Sequence, residues 1–96
     1  MLSIEEFIKL SNLSGITKED IIGRSRKEKI TIAREMYWYC LNIQGLGYRR
    51  IAKIEGRCKQ TISSGICTIK NLINTNHHLV EPYKDVIKLL VPTANQ

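Results

Sequence analysis

The run Arg57-Cys58-Lys59-Gln60-Thr61 holds the side chains with the most chemistry to offer. It follows Gly56 and leads into Ile62, Ile66, Ile69 and Ile73, an apolar stripe whose alternating spacing predicts a helix. The run is therefore that helix's first turn. Arg and Lys match the N7 and O6 acceptors of guanine, Gln matches adenine, and Thr offers a hydroxyl to a phosphate or a methyl to thymine. Cations at a helix N-terminus oppose the helix dipole, a cost that phosphate oxygens would remove. Arg57, Lys59, Gln60 and Thr61 are the candidate base-reading residues.

The charge is concentrated around this run. The formal net charge is +6. From Arg24 to Lys59 there are ten Lys/Arg and three acids, whereas the rest of the chain carries five basic and six acidic residues. A clustered basic face is the footprint of a polyanion binder; a solvated face that only confers solubility is the alternative. Arg24, Ser25, Arg26, Lys27 and Lys29 form one polar run, and Arg49, Arg50 and Lys53 a second. Both are candidate phosphate contacts.

Other chemistry is poorly supplied. No paired-carboxylate, Ser-His-Asp or Cys-His arrangement has plausible catalytic spacing, so no enzyme is expected, and neither a cofactor nor a small-molecule substrate. Cys40, Cys58 and Cys67 make an odd count without CxxC spacing, which argues against disulfides and zinc. His77-His78 has no acidic or thiol partner nearby in sequence, so no metal site is expected. Cys58, beside cations at a helix start, is either a reactive thiol or a small neutral filler. No apolar run nears the roughly 20 residues that span a bilayer, and the N-terminus MLSIEEFIKL has no signal-peptide pattern. A reducing cytoplasm is the expected compartment.

The elements that must position these residues read as helices. Ser3 and Glu6 have capping-box spacing before Ile4, Phe7 and Ile8, with Leu13 as a further apolar position and Ser14-Gly15 as the stop. Thr17 to Asp20 opens a short second helix that ends at Gly23. Arg24 to Lys29 reads as a loop. A longer helix, about Thr31 to Gln44, carries a core stripe of Ala33, Met36, Tyr37, Cys40 and Leu41. Gly45 and Gly47 end it. A short helix over about Tyr48 to Glu55 turns Ile51 and Ile54 inward, and Gly56 breaks it. Asn74 to His78 reads as a turn. Pro82 suits the start of a last helix, with Tyr83, Val86, Ile87 and Leu90 inward, ended by Pro92. The fold class expected is all-α: about six helices in one domain over 1–92, with a frayed tail over 93–96. A short helix, a glycine turn and a longer striped helix make a helix-turn-helix, whose second helix enters the DNA major groove. Such helix pairs are also common in all-α proteins that do not touch DNA.

The stretch from Asp20 to Leu72 resembles the C-terminal DNA-binding domain of the bacterial chromosomal replication initiator family, DnaA. DIIGRSRKEK is similar to the family's short helix and basic loop. IAREMYWYCL is similar to its long helix with an "aRq" triplet, and GYRRIAKIEGR to the first helix of its motif. RCKQTISSGICTIKNL is similar to its "RDHtTV" recognition helix, and LVEPYKDVIKLL to its last helix. The resemblance implies a TrpR-like all-helical fold and binding of a short DNA box in the major groove. It also implies a bacterial, nucleoid-associated protein with double-stranded DNA as partner. By position, it gives Arg34 to the minor groove, makes Arg57 the signature arginine and Thr61 a DNA-contacting threonine, and places Arg24, Arg26, Lys27 and Lys29 in the loop that grips phosphates. This chain departs from the pattern at Cys58-Lys59 (family Asp-His), Gln60 (family Thr) and Glu55 (family aromatic), which implies altered specificity. No phosphate-cradling GxxxxGK[ST] is present, so the module is expected to stand without the family's ATPase. The second reading is a protein-interaction or dimerisation module, a homodimer included, that keeps the fold without base reading. Glu55 and Cys58 favour it, and an exposed apolar surface near Trp38 and Tyr39 would serve it.

Overall fold

Two capping boxes start the chain. The Ser3 hydroxyl accepts the Glu6 N–H at 3.1 Å while Glu6 accepts the Ser3 N–H at 3.1 Å, opening α1 (Ile4–Leu10). Thr17 and Asp20 do the same for α2 (Lys18–Ile22). Each pair satisfies N–H groups that a helix start leaves unbonded. The computed structural model describes residues 2–11 and 15–90. Leu13, Ser14, Pro92 and the tail over 93–96, which carried expectations above, lie outside the described residues.

Beyond these come α3 (Glu28–Ile43), α4 (Tyr48–Glu55), α5 (Lys59–Asn74), a 3-10 segment (His78–Tyr83) and α6 (Lys84–Leu90). The fold is all-α, with no strand among the described residues. The basic run is shorter as a loop than its composition suggested. α3 already begins at Glu28, with Lys27 as its cap, so Lys29 stands in the first helical turn. Glu and Lys are good helix formers, and an acid in the first turn suits the dipole. Likewise, the expected turn at 74–78 is tighter, because α5 runs through Asn74 and His78 already belongs to the 3-10 segment.

The core forms around α3 and α5. Ala33, Met36, Tyr37, Cys40 and Leu41 are buried, as their stripe predicts. Ile62, Ile66 and Ile69 are buried on the facing side of α5, with Ile73 and Leu72 partly covered at its end. Phe7 of α1 sits between Tyr37 and Tyr83, at centroid distances of 5.4 and 5.8 Å. The N-terminal strand of backbone is tied to α3: Tyr37 donates its hydroxyl to the Leu2 carbonyl, and Gln44 accepts the Leu2 N–H, both at 3.1 Å.

α4 corrects one expectation. Ile54 is not inward but 60% exposed, and Ala52 is buried in its place. The inner stripe of this helix is Tyr48, Ile51, Ala52 and Glu55, which have helical spacing; Ile54 falls beside it. The same stripe turns Glu55 into the protein. At the end of α4, Gly56 adopts φ 66° and ψ 35°, a left-handed conformation that costs glycine nothing and turns the chain sharply into α5.

α3 and α5 approach most closely at Gly65. A Cβ there would lie 2.9 Å from Cε3 and Cζ3 of Trp38 and 3.0 Å from the Glu35 Cγ. The indole is itself buried, so it shifts only at a cost. Gly65→Ala is therefore expected to lower stability by up to about 2 kcal/mol: overpacking costs roughly 1–3 kcal/mol, against about 1 kcal/mol gained in helix propensity. The urea midpoint of the variant checks this, and an unchanged or raised midpoint would contradict the close approach.

Candidate nucleic-acid interface

α2 ends at Ile22, so its last carbonyls have no partner within the helix. Two arginines from distant parts of the chain supply the donors. Arg34 of α3, 5% exposed, donates Nε to the Ile21 carbonyl at 2.9 Å and Nη2 to Asp20 at 2.9 Å. Its Nη1 reaches past the helix end to the Ser25 carbonyl at 3.0 Å. Arg57, in the turn before α5, donates Nη2 to the carbonyls of Ile22 and Gly23. Its guanidinium lies over the Trp38 ring, 5.3 Å from the centroid, a cation–π distance. The two cations also face the negative end of the α2 dipole.

This arrangement places both arginines differently from the outward positions that the sequence suggested. The sequence reading sent Arg34 to a minor groove and Arg57 to base edges. The structure turns both guanidinium groups inward, because the unpartnered carbonyls of α2 lie within their reach. Burial, then the charges of Arg57 and Arg24, pull the Arg34 pKa below its ordinary value. Burial and the Arg24 charge do the same to Arg57. The clamp thus holds the basic loop against α3 and against the first turn of α5.

The remaining candidates lie outward. Arg24, Arg26 and Lys27 are exposed on the loop, and Lys29 on the first turn of α3. Ser25 is partly covered; its hydroxyl accepts the Lys27 N–H at 3.3 Å, and its carbonyl is held by Arg34. On α4, Arg49 and Lys53 are exposed and, with Arg50 and Ile54, line a shallow hollow of about 590 Å³. On α5, Lys59, Gln60 and Thr61 are exposed in the first turn, where no acid is present. Among the described residues, Arg24, Arg26, Arg49, Arg50, Lys53 and Lys59 are paired with no carboxylate; the ion pairs Lys18–Glu5 and Lys84–Glu81 are elsewhere.

Three residues on the outer face of α5 escaped the sequence reading: Ser63, Ser64 and Cys67. With Lys59 and Gln60 they line a shallow hollow of about 370 Å³. Their positions are the complement of the isoleucine stripe, which is the signal that could have found them. Cys58 caps α5 without a side-chain bond to the backbone, and its Sγ lies 3.0 Å from the Thr61 Oγ1. That contact draws the thiol below its ordinary pKa. Cys40, by contrast, is pushed up to about 12 by burial. His77 accepts the Leu79 N–H through Nδ1 at 3.1 Å and so caps the 3-10 segment.

Glu55, the departure that would face a phosphate if exposed, is half-buried instead. Burial raises its pKa, while the Trp38 indole and the Arg57 charge favour the ionised form. The indole N–H nevertheless completes no hydrogen bond. Trp38 itself is 2% exposed and Tyr39 is partly buried. The apolar interaction surface expected around these two rings is therefore absent.

Between the basic loop, α3 and the start of α5 lies a cleft of about 400 Å³. Arg24, Arg26, Arg34 and Arg57 border it, with hydroxyls of Thr31 and Thr61, and Glu35 is its one carboxylate. Burial raises the Glu35 pKa, partly offset by the Arg34 charge.

The chain is 26% identical over 77 residues to the chromosomal replication initiator protein DnaA of Pseudothermotoga lettingae. The match covers 79% of this chain but 17% of that protein. No family model and no solved structure matches the chain. Among the described residues, no helix is long and apolar enough to cross a membrane.

Two outcomes follow from this geometry. Arg34→Met removes one buried and two partly buried hydrogen bonds while keeping an apolar stem. It is expected to cost about 3 kcal/mol, the scale for breaking a buried charged cluster, and to speed amide exchange most over residues 20–27. Uniform exchange would show that no clamp exists. Glu35 binds its proton more tightly folded than unfolded, so its contribution is most favourable at low pH and declines as pH rises above the usual 4.5. Glu35→Gln should raise the melting temperature at neutral pH, and the difference should vanish as pH falls below about 4.5.

Proposed function

We propose that the chain binds double-stranded DNA through the α4–α5 helix-turn-helix, with α5 in the major groove. The observation that carries this reading is the clamped basic loop, which sets Arg24 and Arg26 beside the exposed, acid-free first turn of α5. Unpaired cations on two elements around one groove-sized helix suit a duplex, whose phosphates flank each groove. The similarity to a replication initiator protein supports the same reading.

In this reading Arg24, Ser25, Arg26, Lys27 and Lys29, with Arg49, Arg50 and Lys53, contact phosphates. Lys59 and Gln60 read base edges and Thr61 assists from the same turn. Arg34 and Arg57 act by position, since their donors hold the loop in place. Cys58 and Lys59, where the family carries Asp and His, alter the sequence preferred. The role is binding rather than catalysis, needs no cofactor, and suits a TrpR-like helical module of the bacterial nucleoid.

Selection from a random duplex pool at two salt concentrations tests the proposal. Lys59→Ala is expected to change the enriched sequence. Lys27→Ala should weaken all sequences alike and lower the slope of log affinity against log salt by about one unit. Binding that ignores salt would overturn the reading.

A further inference from the structure

The cleft between the basic loop, α3 and the start of α5 is more than a stretch of charged surface. Four arginines converge on it from the loop, the long helix and the turn before α5. A like-charge cluster of this kind is costly without a counter-ion; burial first, and then the Arg24 charge on both and the Arg57 charge on Arg34, lower the pKa of Arg34 and Arg57. The one carboxylate present, Glu35, is disfavoured as an ion by its own burial, so it compensates the cluster poorly. The Nε–H of Arg57 is buried and meets no acceptor among the described residues. Native proteins rarely leave such a donor unmet unless an ion or water satisfies it.

We propose that this cleft is a binding site for one phosphate group. Guanidinium groups and hydroxyls arriving from several sides suit a tetrahedral oxyanion, whose oxygens accept charge-assisted hydrogen bonds in several directions. Arg24 and Arg26 reach the ligand from the loop, where both are exposed. Arg34 and Arg57 supply the fixed floor. Thr61 brings a hydroxyl to the rim, while the Thr31 hydroxyl donates to the Ser25 carbonyl and helps fix the loop. The group can arrive on a DNA strand or on a free phosphorylated small molecule; the first source rests on the DNA-docking reading and the second does not.

The chain provides its own reporter, because its single tryptophan, Trp38, lines the cleft beneath Arg57. Inorganic phosphate is titrated into the full chain at fixed ionic strength, with acetate and chloride as controls, and Trp38 emission is followed. A saturable change with phosphate alone is expected. The Arg24→Ala/Arg26→Ala double variant should weaken it at least tenfold, about 1.4 kcal/mol, with an unchanged circular dichroism spectrum because both side chains are exposed. Glu35→Gln should strengthen it. A response equal for phosphate and acetate, or one that survives the double variant, overturns the site. A random duplex pool then separates the sources. If phosphate at constant ionic strength competes with duplex, a strand phosphate uses the cleft. If duplex binds without competition, or does not bind, the site stands for a free phosphorylated ligand. Salt-sensitive duplex binding without any phosphate response removes this inference and leaves the DNA-docking reading intact.

Discussion

Two arginines bonded to carbonyls at and just beyond the end of a five-residue helix join α2, α3 and the turn before α5. α2 is too short to be stable alone, since isolated helices below about 12 residues are marginal in water. Its capping box secures one end. The other end depends on Arg34 and Arg57, which come from α3 and from the turn before α5. The short α2, the long α3 and the start of α5 are thereby joined at one point. Loss of Arg34 would leave the buried Ile21 carbonyl unsatisfied, a cost larger than the net value of the bond itself.

The clamp also decides where the charge goes. Because Ser25 is held through its carbonyl, the side chains on either side of it, Arg24 and Arg26, are left to face outward near α5. The protein concentrates positive charge where the dipole of α5 already disfavours it. Sequences at purely structural helix starts put acids there, as α1 and α2 do with Glu5, Glu6, Glu19 and Asp20. Glu28 of α3 and Asp85 of α6 follow the same rule, whereas α4, which opens with Arg49 and Arg50, and α5 break it. Both exceptions fall on the two helices of the proposed DNA-binding motif, where a local cost is expected if the site serves a ligand.

Much of this was legible in the residues, and the limits have physical causes. The isoleucine stripe placed α5, and Gly56 placed the turn, because periodicity and left-handed backbone are properties of local sequence. The capping boxes were readable for the same reason. The direction of Arg34 and Arg57 was not. A long side chain at a helix start can point to solvent or fold back, and the choice depends on unpaired carbonyls thirteen or more residues away in sequence. Resemblance to a DNA-binding family favoured the outward choice, whereas the unpaired carbonyls of α2 favoured the inward one. Ile54 failed for a simpler reason: in a helix of eight residues, two apolar positions do not fix the buried stripe, and the small Ala52 fits against α5 better than the larger side chain.

The division of labour on α5 follows from these placements. Its inner face is filled by isoleucines and by Gly65, which lets α3 come close. Its outer face is mostly small, with Ser63, Ser64 and Cys67 beyond the first turn. Within the proposed function, such a face can sit deep in a groove but offers few long donors to base edges. Sequence discrimination then falls on Lys59 and Gln60, and one good bidentate contact is worth about 1–3 kcal/mol. The phosphate-facing cations are more numerous. The balance predicts a binder whose affinity derives mainly from backbone charge and whose preference is narrow, limited to the few base pairs under the first turn of α5. The clamp makes that economy workable, since fixing the loop relative to α5 lets phosphate contacts set the register in which two reading residues meet their bases.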